Sequence, residues 1–263
     1  TFCAEVGTGF EMLDSSLSVK EQLKRNMEYI SKKYKADKFI AYFQNYTNTY
    51  MDTEKFKNYI NDAIADNIVG IAISTRPDCI SDEKLRFLDE IHSKYNVNIT
   101  IELGLQTVNY HTLSNVNRGH TLAEFIDAVL RIKRYNFEIC THIILNLPGD
   151  NVLDTVETAK ILSALKIEQV KIHSLYIMEN TEMGRLYKNN EINIISKDEY
   201  VERVVVFLEH LNKDIVVQRL AGRAPKENSL FVNWGMSWWR LKDEILYKME
   251  SENRHQGSKS KFN

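Results

Sequence analysis

IELGLQT at 101–107, VNRGH at 116–120 and THIILNLPGD at 141–150 decide the fold, because each cluster falls where a strand of a parallel sheet should end. Ligand sites in such sheets gather at the C-terminal strand ends, so the clusters point to a small-ligand site at the mouth of a β/α barrel. Working outward, an apolar period near 3.6 predicts helices over 19–34, 53–66, 82–95, 121–135, 152–165 and 197–211. Short runs rich in β-formers alternate with them and predict strands over 38–43, 69–74, 98–103, 138–145, 169–176 and 214–220. A less regular segment and a helix over 239–249 complete the chain. Repeated strand–helix order implies an α/β fold with right-handed crossovers, closed as a barrel or left open as a half-barrel. The chain opens on Thr1-Phe2-Cys3 and then loop and helix, so the strand that should precede Cys3 is expected to be missing from it.

A chain of 263 residues suffices for one large α/β domain, and no stretch rich in Pro, Gly or Ser divides it. A net charge of −2 does not suggest a polyanion binder, and no DNA partner is expected. The tail over 253–263 carries Arg254, Lys259 and Lys261; it reads as a frayed terminus, with a weak RNA contact as the alternative. Neither a membrane span nor a secretion signal is visible, which places the protein in the cytoplasm. Three widely spaced cysteines, Cys3, Cys79 and Cys140, do not form a disulfide framework. Cys79 and Cys140, with no second Cys or His at metal-ligand spacing, read as small buried thiols.

The strand ends supply the candidate chemistry. The loop Tyr42 to Tyr50 is polar and aromatic, and its amides and hydroxyls either bind a small ligand's amino and carboxylate groups or only shape a turn. Ser74-Thr75-Arg76-Pro77-Asp78 ends the next strand, where Arg76 reaches either a substrate or Asp78. Glu102 alternates with Ile101 and Leu103, so it needs a partner: it either bonds ribose hydroxyls, with Gln106 and Arg118 nearby, or pairs with Arg118. Thr121 is the expected cap of the helix that follows. In Asn146-Leu147-Pro148-Gly149-Asp150 a tight turn lets backbone approach a flat ligand, and Asp150 is placed to cap the next helix. His142 and His173 read as core residues or as ligands, and Trp234, Trp238 and Trp239 as packing aromatics over a barrel opening.

Taken together, YFQNYTNTY at 42–50, STRPD at 74–78, ELGLQT at 102–107, NRGHT at 117–121, ILNLPGD at 144–150, KIHSLY at 171–176 and QRLAG at 218–222 resemble the radical S-adenosylmethionine enzymes. The resemblance is to the branch containing oxygen-independent coproporphyrinogen oxidase and the elongator-type catalytic subunits, and more closely to an uncharacterised bacterial subgroup of it. It covers nearly the whole chain. It implies a partial (β/α)6 barrel over 1–222, lacking its first strand, with 223–263 as an extension packed on it. It also implies a 4Fe-4S cluster held by three cysteines, of which Cys3 matches the last and the other two would lie upstream of Thr1. By position, Gln44, Asn45 and Tyr46 match the segment that receives the methionine amino group, although the family's usual glycines are absent. Ser74 matches a position that is often Glu. Gln106 and Arg118 match cofactor contacts, His142 stands where the branch has Asp, and Glu102 matches the elongator-like acidic residue. Asn146, Pro148 and Gly149 match the adenine-side turn, with Asn146 in place of its first Gly.

The resemblance therefore implies an oxygen-sensitive enzyme that takes an electron from a donor protein and cleaves S-adenosylmethionine to a 5′-deoxyadenosyl radical. Its substrate would be an RNA or a small molecule such as a porphyrin precursor, and this chain without the upstream cysteines would be inactive. The alternative is a non-catalytic module that keeps the barrel and holds a protein or RNA partner. A barrel enzyme with a phosphate site is disfavoured, since no Gly-rich phosphate loop is present.

Overall fold

A computed structural model describes residues 13–14, 16–223 and 228–262. Its elements run α1 (Val19–Tyr34), β1 (Phe39–Phe43), α2 (Thr53–Asp62), β2 (Ile68–Thr75), α3 (Asp82–Tyr95), β3 (Asn98–Gln106), α4 (Tyr110–Asn115) and α5 (Leu122–Ile132). There follow β4 (Glu138–Ile144), α6 (Val152–Ala164), β5 (Gln169–His173), β6 (Tyr176–Met178), α7 (Glu182–Lys188), α8 (Lys197–His210), β7 (Val216–Arg219), β8 (Ser229–Val232) and α9 (Trp238–Ser251). Six parallel strands form one sheet in the order β1-β2-β3-β4-β5-β7, and β6 and β8 pair antiparallel in a second. This is the α/β order expected of a partial (β/α)6 barrel. Local sequence sets the punctuation: Ser18, Ser81 and Ser196 each accept a hydrogen bond from the backbone N–H three residues on, satisfying a helix-terminal donor.

The chain divides into two compact units. One runs through Leu103 and includes Asp127–Ile139. Its core is built from β2 and β3, where Ile71, Ile73, Ile99 and Ile101 are fully enclosed with Leu85 and Leu88 of α3 and Phe56 and Ile60 of α2. Near-continuous apolar strands are what a parallel sheet covered by helices requires. The other unit comprises Gly104–Ile126 and Cys140 onward. It packs Ile143, Val170 and Ile172 with Leu162 of α6 and Phe207 of α8, and a second cluster joins Ile144, Leu147, Leu175, Ile177 and Met183.

Several expectations shift. The predicted strand 98–103 continues to Gln106, whose φ of 73° then ends it. The predicted strand 169–176 breaks after His173, because the Leu175 N–H bonds the Asn146 side chain and the Ser174 hydroxyl bonds Asn233; Tyr176–Met178 then joins the second sheet. Helix α2 stops at Asp62, four residues early. Helices α4 and α7 and strand β8 went unpredicted; the first two are one to two turns long and carry little periodicity. Thr121 does cap α5, in a reciprocal pair with Glu124. Asp150 does not cap α6: Asn151 does, closing a capping box with Asp154, because the turn places Asp150 one residue too early. The C-terminal tail is not frayed. Arg254 pairs with Glu202 and Glu209 at 2.9 and 2.7 Å, Lys259 reaches Glu209 at 2.8 Å, and the Gly257 N–H bonds the Leu208 carbonyl. Trp238 and Trp239 are exposed, while Trp234 bonds the Ile195 carbonyl through its indole N–H. Cys79 and Cys140 are in no disulfide, and Cys79 is half-buried.

Candidate functional site

In the first unit the site begins with register. Ser74 of β2 pairs directly with Glu102 of β3, so their side chains share one face of the sheet. Tyr42 of β1 pairs one level lower, opposite Ala72. Its longer side chain makes up the difference: the Tyr42 hydroxyl donates to Glu102 Oε2 at 2.7 Å, and the Ser74 hydroxyl donates to the same oxygen at 3.1 Å. Glu102 is only 3% exposed, and two hydroxyl donors are what a buried carboxylate oxygen requires. The loop after β1 is pinned from below. Asn48 donates to the carbonyls of Phe43 and Ser74, and the Lys84 ammonium donates to those of Thr49 and Met51. Its upper residues alternate: Asn45 is buried, whereas Gln44 and Tyr46 are exposed, with Tyr46 at a left-handed φ of 60°. Arg76 forms a bidentate pair with Asp78, at 2.9 and 2.5 Å.

In the second unit the end of β3 carries a different arrangement. Arg118 arches back so that its Nη2 donates to the Gly104 carbonyl at 3.1 Å. A Cβ on residue 104 would lie 2.4 Å from that nitrogen and 2.8 Å from Gln106 Nε2, so only glycine lets both side chains cross the strand. Gln106 holds a positive φ without being glycine, a strained geometry of the kind found where a backbone must present a side chain. After β4, the buried Asn146 accepts from the Leu175 N–H at 2.7 Å and anchors its turn. Gly149, at φ 100°, closes the turn with Thr112 Oγ1 at 3.0 Å from the position of a Cβ. Burial pushes the Asp150 carboxyl up to about 6, against the opposing hydrogen bonds from Thr112 and Thr107.

His142 of β4 stacks on His173 of β5 with ring centres 5.1 Å apart, and Arg219 of β7 places Nη2 at 2.7 Å from His173 Nε2. Enclosure of the ring, then the charges of Arg219, His142 and Lys171, hold His173 well below the usual imidazole range. His173 is therefore neutral at pH 7, and Arg219 donates to it.

The structure thus brings Ser74 and Glu102 together, gathers Gln106 and Arg118 over Gly104, and sets Asn146, Pro148 and Gly149 in one turn. Cys3, the expected cluster ligand, lies outside the described residues. The strand-end reading missed the bond from Tyr42 to Glu102, the role of Gly104 and the His173–Arg219 contact. Tyr42 was open to detection, since it alternates with the buried Ala41 and so faces the same way as Ile40. Two cavities larger than the one beside Arg118 lie along α8 and α9 and around Tyr187 and Trp234, and they contain none of the expected site residues.

A parallel strand–helix sheet whose polar groups collect at the C-terminal strand ends defines a partial β/α barrel. The Radical SAM superfamily model matches residues 1–162 and the Radical SAM C-terminal domain model matches 167–251. The chain belongs to the Radical SAM superfamily, a superfamily of enzymes whose cofactors are a 4Fe-4S cluster and S-adenosylmethionine. It is 33% identical over 262 residues to an uncharacterized protein of Methanocaldococcus jannaschii, covering 98% of this chain and 81% of that one. It is 31% identical over 261 residues to the uncharacterized protein YtqA of Bacillus subtilis, covering 98% and 80%. The archaeal Elp3 of Methanocaldococcus infernus, solved with an N-terminal deletion, shares the fold with a TM-score of 0.78 at 18% identity; the match covers 97% of this chain and 63% of that one. Among the described residues no helix is long and apolar enough to cross a membrane.

Proposed function

We propose that this chain carries the S-adenosylmethionine site of an oxygen-sensitive, cytoplasmic radical enzyme, with Cys3 as a cluster ligand and an electron donor protein as partner. The observation that carries the reading is the end of β3, where a buried glutamate, a bare glycine and a strained glutamine fall on one strand and an arching arginine reaches it from the turn after α4. The donor set suits the cofactor's groups. Glu102 is a fixed acceptor suited to sugar hydroxyls, and Ser74 holds it. Arg118 and Gln106 offer a cation and an amide suited to a carboxylate. Gln44, Asn45 and Tyr46 offer amides and a hydroxyl suited to an ammonium, and the Asn146–Gly149 turn presents backbone to a flat ring. His142 completes the set from β4. When bound, the reduced cluster and S-adenosylmethionine supply a 5′-deoxyadenosyl radical that abstracts hydrogen from a substrate. The protein's own part is to bind and orient, with the barrel extending to Gly222 and 223–263 as its extension.

The test is release of 5′-deoxyadenosine by the full-length protein, iron–sulfur reconstituted without oxygen and given S-adenosylmethionine and a low-potential reductant. Release above that of a Cys3→Ala variant supports the reading. No release from protein shown to hold a full cluster removes it in favour of a binding module.

A further inference from the structure

Tyr42 opens the YFQNYTNTY stretch, yet the residue is 40% exposed while its hydroxyl ends on the carboxylate of Glu102, a residue only 3% exposed. β2 runs between the two residues, and Ala72, the smallest side chain available there after glycine, stands opposite Tyr42. Ser74 reaches the same oxygen, Glu102 Oε2, from the directly paired position, and it lies 3.4 Å from the Tyr42 hydroxyl as well. Three neighbouring strands thus each contribute one group to a shared set of hydrogen bonds. Two neutral donors on one carboxylate oxygen fix the torsion of Glu102 without adding a countercharge. A hydroxyl–carboxylate bond of 2.7 Å is a well-formed one.

We propose that Tyr42 is a positioning residue for S-adenosylmethionine binding, acting through Glu102 by locking the orientation of its carboxylate. The inference rests on the reading of Glu102 as a cofactor contact. If Tyr42 acts only through Glu102, its hydroxyl matters only while the carboxylate is present. That makes the two substitutions strongly non-additive, as expected of groups in one hydrogen-bond network.

The experiment is a double-mutant cycle read by equilibrium dialysis of labelled S-adenosylmethionine against the reconstituted full-length protein, with no turnover required. Tyr42→Phe keeps the ring and is expected to weaken binding about tenfold, the lower range for removing a group that orients a ligand-holding side chain. Glu102→Gln is expected to weaken it at least as much. In the Glu102→Gln background, Tyr42→Phe is expected to change affinity by less than about twofold. Ser74→Ala should show the same dependence on background. Thermal unfolding of each variant separates loss of fold from loss of orientation. An equal effect of Tyr42→Phe in both backgrounds, or no effect in the native background, overturns the proposal while leaving Glu102 as a contact. Native affinity in Glu102→Gln overturns the proposal together with the role of Glu102 itself.

Discussion

The ends of β1–β3 and the turns that follow Gly104 solve the same problem by opposite means. In the first region side chains hold side chains: Tyr42 and Ser74 converge on Glu102, and Arg76 closes on Asp78. In the second, backbone holds side chains: Arg118 rests on the Gly104 carbonyl and Asn146 takes the Leu175 N–H. The contrast teaches where each region is vulnerable. A network of side chains fails by losing a functional group, whereas an arrangement resting on bare backbone fails by gaining an atom.

Gly104→Ala is the sharpest way to break that second region. The added Cβ would displace Arg118 Nη2 and Gln106 Nε2, both of them ends of flexible side chains that can move aside without unfolding the strand. Melting temperature should therefore change by only a few degrees, while 5′-deoxyadenosine release falls by about 100-fold, the scale of a misplacement of about 1 Å. A large drop in melting temperature instead would mean that the strand end, and not its side chains, is the sensitive part. Gly149→Ala should behave in the reverse way. Its φ of 100° is costly for any side chain and Thr112 crowds the site, so we expect a loss of about 1–2 kcal/mol, read as a melting temperature lower by roughly 2–4 °C per kcal/mol.

Within the second unit two groups differ in acid response. Asp150 has its carboxyl raised from 3.8 to about 6, so its protonated form stabilises the fold fully below pH 3.8 and that contribution is lost as pH rises through about 6. Asp150→Asn should then raise stability at pH 8 by on the order of 1 kcal/mol and make no difference below about pH 4. His173 carries the opposite sign. Its depressed value means the neutral ring stabilises the fold above pH 6.5, and that contribution is lost as pH falls below it. His173→Gln should therefore flatten the acid side of the stability profile, with urea midpoints between pH 4 and 8 as the measurement. A profile that both variants leave unchanged would show that neither group titrates across folding.

Much of this was legible in the sequence. The strand–helix alternation gave the order of the sheet because each parallel strand is a short, nearly unbroken apolar run, as in Ile68–Thr75, and each helix carries a wide apolar face. The strand-end clusters supplied most of the candidate site for the same reason: polar residues that abruptly follow such runs have nowhere to go but the rim. What stayed hidden depends on distances along the chain that no local pattern encodes. Tyr42 and Glu102 are sixty residues apart. The break between β5 and β6 depends on Asn146, which lies twenty-nine residues before the N–H it captures. The docked tail depends on Glu209, a buried acid in an otherwise ordinary helix that only folding sets against Arg254 and Lys259.

Arg76 and Arg118 make the smallest and most discriminating test, because the sequence presented both as strand-end arginines open to a ligand. Their guanidinium groups end in different places. Arg76 is bidentate on the carboxylate two residues on, a geometry that satisfies its fork and spends its charge locally, while Arg118 donates to the neutral carbonyl of Gly104. An exposed pair such as Arg76–Asp78 contributes at most about 1 kcal/mol to stability. Arg76→Gln should therefore shift S-adenosylmethionine affinity by less than about twofold and stability by about 0.5 kcal/mol. Arg118→Gln should weaken affinity at least tenfold, the scale of a lost charge-assisted hydrogen bond. Equal losses from the two would show that the Arg76–Asp78 pair opens on binding, and that side chains in the first region exchange partners as readily as backbone in the second refuses to.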